Sequence, residues 1–198
     1  MKYVITIIFG VVLLSLPASA QLAEKAEDIS PLLIGETVPD VMLKSTAFKN
    51  QSLLSIINKK PTVILFYRGG WCPYCNAHLS DIRDAEREIL KLGYQIIAIS
   101  PDSPENLEKT DNKNELNYQL YSDADGKLTK AMGIAFKVEE RRKNRLFDKS
   151  GGLNDGFLPV PSIFIIDTKG QILFEYINPN YKTRMTSKLL LAVLKNLD

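Results

Sequence analysis

The chain has 198 residues, 45% of them hydrophobic and 24% charged, with 25 Lys and Arg against 23 Asp and Glu and a formal net charge of +2. That length and composition suit one ordinary domain with a sizeable core. The near-balance of charge argues against nucleic acid as a partner, since phosphate binding needs a concentrated basic surface.

Residues 1–20, "MKYVITIIFGVVLLSLPASA", place Lys2 ahead of an apolar stretch that ends in Ala18, Ser19 and Ala20, the pattern of a secretory signal peptide. The alternative is an uncleaved anchor, since the apolar run nears membrane length, but the Pro17 break and the small-residue cleavage site favour removal. The mature chain is then expected to begin at Gln21, to carry a net charge of about +1 and to have no membrane span. Export follows as the expectation, to the periplasm if the source is a Gram-negative bacterium.

Residues 21–34 read as a loose lead-in, and residues 35–198 as the folded domain. "QSLLSIINKK" suggests a short helix, and "TVILFY" (62–67) is a continuous β-branched and aromatic run, the mark of a strand buried on both faces. From Pro73 the period changes: Leu79, Ile82, Ala85, Ile89 and Leu92 recur at helical spacing, and Gly93 ends the helix. "YQIIAIS" is a second buried strand, so the three pieces form a β-α-β unit with parallel strands. Ser103 and Pro104 open a further helix. "KVEERRKNRLFDKSGGLNDGF" is the least regular segment; its basic cluster Arg141, Arg142, Lys143 and Arg145 reads as a solvated helix face, and its glycine pairs as a mobile loop. Ser162–Ile166 and residues 171–176 predict an antiparallel hairpin, and residues 186–197 a last amphipathic helix. The fold class is α/β.

The two cysteines, Cys72 and Cys75, lie in "LFYRGGWCPYCNAHL", where the buried strand feeds the helix. A bridge between them closes too short a loop to restrict the unfolded chain much, so a structural staple is disfavoured. A helix N-terminus stabilises a thiolate over a thiol, and a second thiol three residues on can capture the mixed disulfide or sulfenic acid formed by the first. Cys72, Cys75 and His78 offer three soft ligands where a closed zinc site wants four; copper(I) is the remaining metal reading. No metal and no cofactor is expected.

"WCPYC" after a buried strand, with "VPSIFIIDTKGQI" downstream, resembles the thioredoxin fold, a single-domain mixed sheet flanked by helices. The resemblance implies that Pro161 is the cis-proline facing the redox pair. "GETVPDVML", "FYRGGWCPYCNAHL", "IIAISPDSPE", "LPVPSIFIID" and "INPNYKTR" together resemble the peroxiredoxin-like branch of the alkyl hydroperoxide reductase and thiol-specific antioxidant (AhpC/TSA) family. In that family's register Cys75 falls at the peroxide-attacking position, Arg68 replaces a proline, Cys72 replaces a threonine, and Pro161 stands where an arginine flanks the thiolate. Arg68 is then the candidate cation and Trp71 a candidate groove-lining aromatic. In the thioredoxin register, Cys72 attacks.

The resemblance implies a thiol-based antioxidant enzyme that reduces peroxides with electrons from an external thiol, either a thioredoxin-like protein or a membrane donor. The alternatives are a disulfide reductase or isomerase acting on exported proteins and, third, a copper carrier.

Overall fold

The structure is a computed structural model that describes residues 22–197. The expected signal peptide lies outside the described residues. Among the described residues no helix is long and apolar enough to cross a membrane.

The elements in chain order are β1 (Met42–Ser45), β2 (Asn50–Ser52), α1 (Leu53–Ile57), β3 (Thr62–Phe66), α2 (Pro73–Lys91), β4 (Gln95–Ser100), α3 (Pro104–Asn114), β5 (Gln119–Ser122), α4 (Lys127–Ala131), β6 (Ala135–Lys137), α5 (Glu140–Lys149), β7 (Phe157–Pro159), β8 (Ser162–Ile166), β9 (Ile172–Ile177) and α6 (Ser187–Leu194). Seven strands form one sheet in the order β2-β1-β5-β4-β3-β8-β9. The run β5-β4-β3 is parallel, and β1 and β8 join its two sides antiparallel. The expected β-α-β unit and the terminal hairpin are both present.

Strand β3 explains why its sequence is uniformly apolar. Val63 and Leu65 point into a core with Leu79, Ile82 and Ile89 of α2 and Leu190 of α6. Ile64 and Phe66 point into a second core with Leu53, Ile57, Leu128 and Met132. Period-two alternation therefore buries every side chain, because both faces are covered. Such a strand is a rigid base, and α2 starts from its C-terminal end.

Two expectations are corrected. Residues 22–34 are not loose: Lys137 donates its N–H to the Ala23 carbonyl at 2.8 Å, and Leu32 donates to Met132 at 3.1 Å. Gly133, at φ +69°, lets the lead-in pass so close that a Cβ there would stand 1.9 Å from the Ser30 carbonyl oxygen. The segment after Lys137 is also more regular than expected, since α5 occupies its first half. Its glycine-rich exit is pinned by buried Asn154, whose amide oxygen accepts the Gly156 and Phe157 N–H groups and whose amide nitrogen donates to the Phe157 carbonyl.

Asp123 does the comparable work for α4. Buried, it accepts from the Leu128 N–H at 3.0 Å, the Thr129 N–H at 2.7 Å and the Thr129 hydroxyl at 2.6 Å. Burial pushes its carboxyl up to about 6, against those donors. Asp123→Ala leaves three buried donors unpaired and is expected to lower the free energy of unfolding by about 3 kcal/mol, with Asp123→Asn losing less. Urea denaturation measures both; a loss below about 1 kcal/mol for the alanine variant would show the donors re-paired with water.

Candidate active site

The loop between β3 and α2 is held on three sides. The Gly70 N–H donates to buried Asp102 at 2.7 Å, and the Gly70 carbonyl accepts from the Asn76 side-chain amide at 2.9 Å. Thr110 of α3 presses on Gly70 so closely that a Cβ would lie 1.8 Å from its hydroxyl. Burial pushes the Asp102 carboxyl up to about 6, while the Gly70 N–H opposes the rise. Only glycine admits this approach, so "RGG" sets the loop's path.

That path makes Cys72 the N-cap of α2, with Pro73 in the first turn and the Cys75 and Asn76 N–H groups bonded to the Cys72 carbonyl at 3.1 Å. Both cysteines are free and buried, Cys72 at 2% and Cys75 at 0% exposure, so reagents must enter through the covering side chains.

The two thiols differ. Cys72 is lowered to about 6, first by the Cys75 S–H donating to its sulfur, then by the Cys75 backbone N–H and by the charges of Arg68 and Arg184, with burial opposing. Cys75 is pushed well up, because it donates that hydrogen bond, is buried, and faces the negative charge on Cys72. The pair shares one proton, held by Cys75.

Arg184, to which sequence reasoning gave no role, stands beside the pair. Its Nη2 lies 3.7 Å from the Cys75 sulfur, 109 residues away in sequence. Two residues of α2 hold the segment around it: Asp81 accepts the Ser187 N–H and hydroxyl at 2.7 and 2.8 Å, and the Met185 carbonyl accepts from His78 Nε2 at 3.0 Å. That bond fixes the His78 tautomer, and burial lowers its pKa to about 4. His78 is thus a neutral structural donor. The only advance signal for Arg184 was its place in the family-like "INPNYKTR".

The other expected site residues gather here. Arg68, 4% exposed, lies with its guanidinium carbon 4.1 Å from the Tyr181 ring centroid and 5.3 Å from that of Trp71. Tyr74 meets Tyr181 edge-on at 5.7 Å, and Arg145 of α5 covers Trp71 at 4.7 Å. Cation–π stacking of this kind stabilises a desolvated guanidinium. Pro161 lines the same region beside Arg68 and Tyr181. Its expected cis peptide is corrected: among the described residues no peptide is cis. The chain runs on extended from β7 through Val160, whose N–H bonds Ile134, into Ser162, paired to Phe66, with no reversal at Pro161. Among the described residues no group of three or more His, Cys, Asp and Glu side chains is placed to hold a metal ion.

Comparison with known proteins places this geometry. The sequence model of the AhpC/TSA family matches residues 34–174, so Arg184 lies beyond the matched stretch. Peroxiredoxin Bcp of Bacillus subtilis is 30% identical over 157 residues, covering 79% of this chain and 92% of that protein. Peroxiredoxin Bcp of Escherichia coli is 27% identical over 169 residues, covering 84% and 98%. The fold superposes on the crystal structure of reduced Prx3 in complex with hydrogen peroxide from Vibrio vulnificus with a TM-score of 0.71, at 17% identity and over 82% and 99% of the two chains. The chain belongs to the AhpC/TSA family and is a peroxiredoxin, a thiol-dependent peroxidase.

Proposed function

We propose that the chain is an exported peroxidase in which Cys72 attacks the hydroperoxide and Cys75 resolves the product. The observation that carries this reading is the inequality of the two thiols. The Cys72 thiol is lowered to about 6, which favours its thiolate at neutral pH. It is also the outer of the pair, at the helix N-terminus.

The Cys72 thiolate attacks the terminal peroxide oxygen, the O–O bond breaks, and the alcohol or water leaves with a proton, giving a sulfenic acid on Cys72. Arg184 and Arg68 place positive charge where the leaving oxygen becomes negative. Loss of the Cys72 charge then removes one cause of the raised Cys75 pKa, while Arg184 and the Arg68 backbone N–H still favour its thiolate. Cys75 attacks the sulfenic sulfur, hydroxide leaves as water, and a Cys72–Cys75 disulfide forms. Two equivalents of an external thiol return the pair to the dithiol. Export rests on the signal pattern of residues 1–20.

The same order of acidity also suits disulfide exchange through Cys72, a second reading for protein disulfides. One experiment separates them. The reduced mature protein is mixed with hydrogen peroxide or with oxidised glutathione, and Trp71 fluorescence and free thiols are followed. One peroxide should consume two thiols, far faster than free cysteine does, and oxidised glutathione should react more slowly. If oxidised glutathione alone reacts usefully, the peroxidase assignment of this pair fails. The protein secreted by its host should begin at Gln21; an N-terminus at Met1 would overturn export by cleavage.

A further inference from the structure

A hollow of ≈ 330 Å³ opens next to Arg68, bordered by Phe136, Leu158, Pro161 and Tyr181 and by residues 24–27 of the lead-in, with Arg68, Arg142, Lys25 and Lys137 as its cations and Glu24, Glu27 and Glu139 as its carboxylates. Hydrogen peroxide needs no such volume. Arg184, the cation on Cys75, is not part of the wall; Arg68, whose charge acts on Cys72, is. Arg68 is also unsatisfied: it is buried, its Nε has no hydrogen-bond partner, and among the described residues neither it nor Arg142 forms an ion pair. Of the lining carboxylates, Glu24 is tied to Lys137 and Glu139 to Arg141, so the lining keeps a net positive charge, and a buried Arg68 that loses the Cys72 thiolate on oxidation is left a costly cation that an incoming anion would stabilise.

We propose that this hollow binds a low-molecular-weight thiol carrying carboxylates, and that it presents the thiol to Cys72 of the disulfide form. The proposal rests on the Cys72–Cys75 cycle above. The geometry favours a reductant over a peroxide because of which sulfur it serves. A thiolate that attacks the Cys72 sulfur breaks the S–S bond and releases the Cys75 thiolate onto Arg184. The mixed disulfide on Cys72 is then cleaved by a second thiol, which leaves as the small disulfide and returns Cys72 as thiolate. Two thiols are oxidised to one disulfide and the protein disulfide is reduced to the dithiol. Oxidation supplies the timing. In the dithiol, Arg68 faces the Cys72 thiolate; in the disulfide that charge is gone, and Arg68 is left to take a carboxylate. The hollow therefore binds acids more tightly when the enzyme needs reducing, and by linkage a bound acid favours the disulfide state.

The test uses the oxidised full-length mature protein, prepared with peroxide or, independently of peroxidase activity, with diamide. Glutathione and glutathione diethyl ester are compared as reductants at equal thiolate concentration, following Trp71 fluorescence. Glutathione should be about tenfold faster, the size of one charge-assisted contact. Arg142→Gln should cut the ratio by about threefold or more, whereas Arg87→Gln, the same charge change at an exposed position of α2 that does not line the hollow, should leave it. S-methylglutathione, which cannot react, should bind the oxidised protein about tenfold more tightly than the reduced protein. An ester as fast as glutathione, or equal losses in both arginine variants, overturns the site. Failure of peroxide to form the disulfide would sink the peroxidase cycle and leave the diamide experiment to judge the hollow.

Discussion

Arg184→Met is expected to slow oxidation of the reduced protein by hydrogen peroxide by about ten- to a hundredfold, the range for losing one preorganised charge at a reacting centre. The guanidinium acts twice. Its charge lowers both thiols, and its Nη2 contacts the sulfur that must become a thiolate to resolve the sulfenic acid. The wild-type rate should rise as pH climbs through about 6, where the Cys72 thiol becomes thiolate, and then level. In the variant this midpoint should move to higher pH, because the thiolate has lost a stabilising charge while the thiol has not. Stopped-flow fluorescence across about pH 4.5 to 9, a range that brackets the midpoint, measures both quantities. His78 provides an independent readout: Arg184 helps to keep its pKa low, so its imidazole should titrate above about 4 in the variant. A variant in which His78 moves but the peroxide rate and midpoint do not would place Arg184 beside the site without a part in the chemistry.

How such a residue escaped the sequence is instructive. The strand β3, the helix α2 and the strand β4 were legible because an uninterrupted apolar run, a change of period and a second apolar run are local signals, each tied to burial of that element. The cysteine pair was legible because it sits at the junction these signals define. Arg184 was not, because its place depends on α6 packing on α2 and on bonds from His78 and Asp81, contacts between residues about a hundred positions apart that no local period encodes. Helix α5 hides for a different reason: it buries Leu146 alone and, apart from Asn144 and the exposed Phe147, is otherwise charged, so it carries little apolar period; its C-terminal end is fixed by a local turn in which the Ser150 hydroxyl accepts the Leu153 and Asn154 N–H groups. The strands β1, β2, β6 and β7 have three or four residues each, too few to show alternation.

Pro161 shows the limit of carrying a motif by resemblance. It stands directly in front of β8, as read, and lines a hollow together with Arg68 and Tyr181. Its peptide geometry followed from a fold-level analogy and is trans, since the segment arrives already extended from β7. Similarly, the family register assigns first attack to Cys75. In the cycle we propose it falls to Cys72, because the lowered thiol is that of Cys72 and Cys75 lies deeper behind the helix terminus.

The order of attack is tested most directly by a single turnover of Cys72→Ser and Cys75→Ser with hydrogen peroxide at pH 8, trapping the sulfenic acid with dimedone and locating it by mass spectrometry. Cys75→Ser should keep its rate within about tenfold of wild type and carry the label on Cys72, since a serine hydroxyl there can still donate to the outer sulfur. Cys72→Ser should react at least about a hundredfold more slowly, leaving a single buried thiol. A fast Cys72→Ser protein labelled on Cys75, with Cys75→Ser inert, would contradict the account.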